Sequence, residues 1–117
     1  MDWTKLNLRE IHDYCETKNP AFRTYTFDLQ LEIIVLIFHA CGVERFAVED
    51  VQEFYREMRI PKPQSTGVVR PTPKKIRATA ARLNTVRIME DGGFEIVPAE
   101  TGLYLPFDSE IYRNYLK

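Results

Sequence analysis

Residues 72–97, TPKKIRATAARLNTVRIMEDGGFEIV, decide the fold. Thr72 is a good helix N-cap and Pro73 suits the first helical position, so the pair marks the start of a helix expected over Lys74–Asn84. Ile76, Ala80 and Leu83 repeat at helical spacing and form its expected buried stripe. At 100° per residue, Lys74, Ala78, Ala81 and Arg82 fall on the opposite side, flanked by Lys75 and Arg77. Two strands are then expected, about Thr85–Met89 and Phe94–Val97, joined through Glu90-Asp91-Gly92-Gly93. Asp-Gly between alternating apolar residues is a hairpin signal. Register requires an odd loop, with Asp91-Gly92-Gly93 the expected one and a glycine in the left-handed conformation. An even loop would set Ile88 against Glu95, whereas an odd one places Val86, Ile88, Phe94 and Ile96 on one buried face.

Upstream of this stretch the periodicity is helical. A first helix is expected from Leu8 to about Glu16, with Asn7 and Glu10 as cap and capping-box partner, ending at Asn19-Pro20. A second is expected over about Asp28–Cys41, capped by Thr26 or Asp28 and closed by Gly42 in the left-handed C′ position. Its Leu31–Cys41 part is apolar nearly all round, which marks the central core helix. A third runs from about Val48 to Met58, with Val48, Val51, Tyr55 and Met58 on one face, Phe54 beside them, and Glu49 and Asp50 favourable at its N-terminus. Residues 60–73 hold four of the seven prolines and predict an extended connection. Downstream, Asp108–Lys117 reads as a short helix grouping Ile111, Tyr112, Tyr115 and Leu116. The fold class is mainly α with a β-hairpin, in a single domain spanning 1–117. The apolar fraction of 44% is sufficient for one core without covalent staples.

The formal charge is −1, but its distribution along the chain is uneven. Residues 1–55 carry five basic and ten acidic side chains, and residues 88–117 two and six. Between them, residues 56–87 carry nine basic residues against Glu57 alone, a local +8. Such a concentration attracts an anionic partner whatever the total charge; the alternative is a solvated surface whose charges merely segregate. The longest apolar run, Ile33–Phe38, is far shorter than the roughly 18 residues a membrane span needs, and no secretory signal is legible at Met1–Lys5. Two cysteines make no disulfide framework, and an intracellular, reducing compartment is expected. His12, Cys15, His39 and Cys41 are a formal metal set. His39 and Cys41, however, diverge by about 200° around a helix, so core packing is the expectation and no metal or other cofactor is implied. No nucleophile–base pair or carboxylate dyad stands out, and the residues do not read as an enzyme.

Three helices, the last with a basic outer face, followed directly by a β-hairpin, resemble the winged-helix superfamily of helix-turn-helix proteins. The resemblance covers about residues 26–105, with flanking helices at 8–16 and 108–117. Lys74–Asn84 takes the place of the recognition helix, and Phe94–Leu105 looks like the second wing strand and the turn that follows. The resemblance implies a duplex DNA-binding module, sequence-specific or sequence-tolerant, with a regulatory or replicative role. It also implies the alternative of a protein–protein module of the same fold in a larger assembly. The expected DNA contacts are Lys62, Arg70, Lys74, Lys75, Arg77, Ala78 and Arg82. The helix would enter the major groove and the chain between Arg59 and Arg70 would follow the backbone or a minor groove. Arg77 and Arg82 could instead pair with Glu57 or another carboxylate of the third helix. Glu90 and Asp91 make the hairpin tip acidic, so it is expected to stand away from a duplex. A homodimer or a protein partner is expected to use the C-terminal helix.

Overall fold

The computed structural model describes residues 3, 6, 8 and 9, 25–60 and 67–97. Within these the element order is α1 (Phe27–Ala40), β1 (Arg45–Phe46), α2 (Val48–Met58), α3 (Pro73–Ala80), β2 (Val86–Ile88) and β3 (Phe94–Ile96). The fold is therefore mixed: three helices and a three-stranded antiparallel sheet in the order β1-β3-β2. Beyond the helical turn at Leu8 and Arg9, the expected N-terminal helix lies outside the described residues, as does the expected helix 108–117.

The continuous apolar run makes α1 the centre of the core, with Ile33 through Phe38 all buried. Thr26 caps it, its hydroxyl accepting the Leu29 N–H at 3.4 Å. The far end closes in a Schellman arrangement, with Gly42 at φ +84°. Gly42 N–H donates to His39 O at 3.0 Å and Val43 N–H to Phe38 O at 2.9 Å, and Val43 is buried against the core. In α2 the inward face is Val48, Val51, Phe54, Tyr55 and Met58, as the periodicity predicts. Its N-cap is Ala47, which has no side-chain oxygen to offer. The Asp50 carboxylate instead accepts the Ala47 N–H at 2.7 Å, the reciprocal half of a capping box.

Four features differ from the sequence-based expectation. The strand β1 is only two residues long and pairs Arg45 with Glu95 and Phe46 with Phe94, which turns the hairpin into a sheet. The hairpin register has the expected parity, with Val86 opposite Ile96 and Ile88 opposite Phe94. The loop lies one residue earlier than expected, however. Met89 N–H donates to Gly93 O at 2.8 Å, so Glu90-Asp91-Gly92 form the loop and Gly92 takes the left-handed position at φ +87°. Phe94 and Ile96 are buried, but Ile88 is 46% exposed, because β2 is a sheet edge with no strand beyond it among the described residues. The fourth difference is that α3 ends at Ala80. The following N–H groups of Arg82 and Leu83 bond back three residues, to Thr79 O and Ala80 O, and this tighter turn brings the chain round to β2.

Residues 60 and 69 are joined by a hydrogen bond from Val69 N–H to Ile60 O at 2.7 Å. The connection between α2 and α3 thus returns to where it left, and its two ends do not form an extended arm.

Two buried polar groups give stability predictions. Tyr55 is fully buried and its hydroxyl donates to Gln30 Oε1 at 2.7 Å. Tyr55→Phe removes the donor from a buried acceptor and should cost about 1–3 kcal/mol in urea unfolding. Burial also raises the Tyr55 phenol above its ordinary value of 10.0. The unfolded chain then releases that proton first, so the contribution is complete below pH 10 and is lost as pH rises above it; Tyr55→Phe should flatten this alkaline loss. Thr85 is buried with no hydrogen-bond partner for its hydroxyl. Thr85→Val, of the same shape, should therefore raise stability by about 1 kcal/mol in the same assay.

Candidate functional site

The start of α3 is built twice over. The Thr72 hydroxyl accepts the Lys75 N–H at 3.2 Å, and Pro73 occupies the first turn. From the neighbouring helix, Gln52 Nε2 donates to Pro71 O at 3.0 Å and fixes the chain just before the cap. Ile76, Thr79 and Ala80 point into the core. Leu83, expected to complete that stripe, is only partly buried but still packs on the core.

The other side of α3 presents Lys74, Lys75, Arg77, Ala78, Ala81 and Arg82, all exposed. They divide into two sets by helical angle. Lys74, Arg77, Ala78 and Ala81 fall within about 100° of arc and face outward. Lys75 and Arg82 lie on one flank, and the structure turns both toward the first turn of α1. Arg82 grips Asp28 with two donors, Nη2 to Oδ1 at 2.8 Å and Nε to Oδ2 at 3.1 Å. Its Nη2 also reaches Thr79 Oγ1 at 3.2 Å. Lys75 Nζ sits 4.9 Å from the centroid of the Phe27 ring. The partner of Arg82 is thus not Glu57 or another carboxylate of α2 but Asp28, 54 residues away. The hydrogen bond from Arg82 holds the Asp28 carboxyl below its ordinary range, against some desolvation, with smaller help from the Thr79 hydroxyl and the charge of Lys75. Asp28 raises Arg82 in return.

Folding redistributes the basic stretch. Arg56 pairs with Glu53 and lies 3.8 Å from Glu57. Arg87 pairs with Glu95, whose carboxylate also meets Arg45 at 3.5 Å, so one acid on the central strand bridges two arginines on the edge strands. Arg59, Arg70, Lys74, Lys75 and Arg77 have no carboxylate partner among the described residues. Lys62 lies outside those residues. Arg70 is exposed and stands at a cleft of about 400 Å³ lined also by Glu49, Gln52, Glu53, Arg56, Val68 and Val69. Its carboxylates oppose entry of an anion, so Arg70 can serve one only from the rim. Glu90 and Asp91 are exposed at the hairpin tip.

No family model, curated protein or solved structure matches the chain. The site therefore has to be read from its own chemistry. Of the expected contacts, the structure gathers Lys74, Lys75, Arg77, Ala78 and Arg82 on one short helix and the turn after it. Arg70 stands two residues before the cap. Among the described residues no cluster of three metal-ligating side chains exists and no helix is long and apolar enough to cross a membrane. His39 and Cys41 are both half-buried, while His12 and Cys15 lie outside the described residues.

Sequence reasoning missed Asp28, Phe27 and Gln52. Asp28 had a signal, being an acid in a first helical turn, but that signal is fully explained by the helix dipole. The Gln52 contact has none. Since the cap holds the first turn of α3, Thr72→Ala should lower stability by about 1 kcal/mol and speed amide exchange at Lys75 more than at Phe54.

Proposed function

We propose that the protein is a duplex DNA-binding module of winged-helix type, regulatory or replicative in role, with α3 in the major groove. The observation that carries this reading is the outward face of α3. Two cations without carboxylate partners among the described residues, Lys74 and Arg77, share this face with two exposed methyl side chains, Ala78 and Ala81. A helix fits the major groove when its exposed side chains are short enough for close approach, and Arg or Lys there reaches guanine edges or phosphates. The order of elements gives further support. Three helices, the last with a basic outer face, lead directly into a hairpin, which is the pattern on which the resemblance rests.

The acidic tip separates this domain from one that grips DNA with its hairpin. Glu90 and Asp91 would face phosphates at a cost, so the duplex is held by α3 and by Arg70 ahead of it, with the tip turned away. A protein-binding module of the same plan is the competing reading, favoured by the exposed Ile88 just before that acidic tip.

A mobility-shift titration with random duplex separates the two. Binding near 50 mM salt that weakens with a log–log slope of about −0.9 per phosphate contacted is the expected outcome for the DNA reading. Lys74→Glu with Arg77→Glu should abolish it while the thermal midpoint holds. Arg77→Ala alone should cost about 1–3 kcal/mol if the side chain reads a base, with relaxed sequence preference. Glu90→Gln with Asp91→Asn should leave binding equal or tighter. Absence of any duplex binding by the unaltered protein at 50 mM salt would give the site to a protein partner.

A further inference from the structure

We propose that Asp28 is an electrostatic gate on the DNA-binding face: it occupies the Arg82 guanidinium in the free protein and yields it to a DNA phosphate on binding. This inference rests on the DNA reading above. It starts from geometry, because the two-donor grip of Arg82 on Asp28, at 2.8 and 3.1 Å, is the same fork that a guanidinium offers a phosphate. The carboxylate therefore stands where a phosphate would.

Four further observations bear on exchange. Both side chains are in water, Arg82 57% and Asp28 51% exposed, and an ion pair in that setting is weakly held and readily replaced. Arg82 lies in the turn that directly follows α3, about 80° around the helical projection from Lys74, so a duplex seated on Lys74 and Arg77 brings its backbone past this flank. Thr79 Oγ1, which also accepts from Arg82, belongs to α3 itself, so a guanidinium that leaves Asp28 keeps one tether to the helix. Lys75, beside the Phe27 ring on the same flank, has no carboxylate to leave and stays available throughout.

The gate has a direction. With Asp28 in place the charge of Arg82 is cancelled and Lys75 alone is left on the flank, so a duplex whose backbone does not reach Arg82 gains nothing from that arginine. When a phosphate takes the guanidinium the ion pair with Asp28 is broken, and that loss is subtracted from the gain on binding. Removing its charge should therefore tighten binding, and should do so through Arg82.

The test is a double-mutant cycle on the full chain, using a random-sequence duplex at 50 and 200 mM salt. Asp28→Asn should tighten binding roughly two- to fivefold at the lower salt and steepen the salt slope by up to about 0.9. The gain should vanish in the Arg82→Ala background. An equal gain with Arg82 absent would make Asp28 a general field effect and overturn the gate, as would unchanged or weaker binding by an Asp28→Asn protein whose thermal midpoint is kept. Arg82 can also be followed in the unaltered protein by the NMR signal of its Nε–H group, which should move as duplex is added. A stationary signal while the complex forms would overturn the gate without any variant. If the unaltered protein binds no duplex, the parent reading fails and takes the gate with it, an outcome distinct from a protein that binds DNA with no response at Asp28 or Arg82.

Discussion

The packing of Phe38 is the contact on which the rest of the fold depends. Its ring meets Trp3 edge-on at 6.2 Å, Phe46 of β1 at 5.5 Å and Phe54 of α2 at 5.8 Å, and Phe46 in turn packs on Phe94 of β3 at 5.1 Å. Four separate parts of the sequence are thus held by one buried side chain of α1 and its neighbour. Aromatic pairs at these separations add directional preference to plain burial, so they set orientations as well as distances. The C-terminus of α1 belongs to the same arrangement. The Phe38 carbonyl accepts the Val43 N–H in the Schellman closure, and the chain leaves the helix already aimed toward β1.

That constraint reaches α3 indirectly. With α1, α2 and the sheet fixed, α3 sits on them through Ile76, Thr79 and Ala80, a narrow inner face. Eight residues give a helix little stability of its own, since short helices in water rely on packing and caps. The Thr72 cap, the Gln52 contact with Pro71 and the Arg82 pair with Asp28 all lie at or just beyond its ends. The helix is thus pinned at both ends while its outward face stays exposed.

Much of this was legible in the sequence, and the reasons are local ones. The boundaries of α2, the Thr72-Pro73 start, the Thr26 cap and the Gly42 closure each follow from a residue whose conformational preference acts within a few positions. What escaped was set across the fold. β1 has two residues and no period to detect; it is a strand only because Phe94 and Glu95 are there to pair with it. The expected helix to Asn84 followed propensity, which cannot see that the chain must turn at Ala81 to reach β2. Ile88 alternates correctly for the buried face, yet burial depends on what covers that face, and at the sheet edge cover is incomplete. In the candidate site the basic residues were legible because charge is visible in sequence. Their partners were not, because Asp28 and Glu95 are brought to them by tertiary structure.

The same distinction bears on how charge concentration should be read. Counted along the chain, residues 56–87 form a block of +8 that could attract any polyanion. In the folded protein, Arg56, Arg82 and Arg87 each meet a carboxylate, and all three pairings use acids from outside the block, Glu53, Asp28 and Glu95. The field is therefore narrower than the sequence suggests and more sharply placed. It falls on the outward face of α3 and the approach to it, with acids at the α2 cleft and at the hairpin tip on other parts of the surface. Diffuse positive charge attracts DNA without orienting it. A small cationic face bounded by acids favours one approach and penalises others, because at contact distance like charges repel as strongly as opposite charges attract and salt screens neither fully. Asp28 is the nearest of those boundary charges. In the proposed DNA complex, its place beside Arg82 would make the edge of the cationic face a matter of which anion, carboxylate or phosphate, holds one guanidinium.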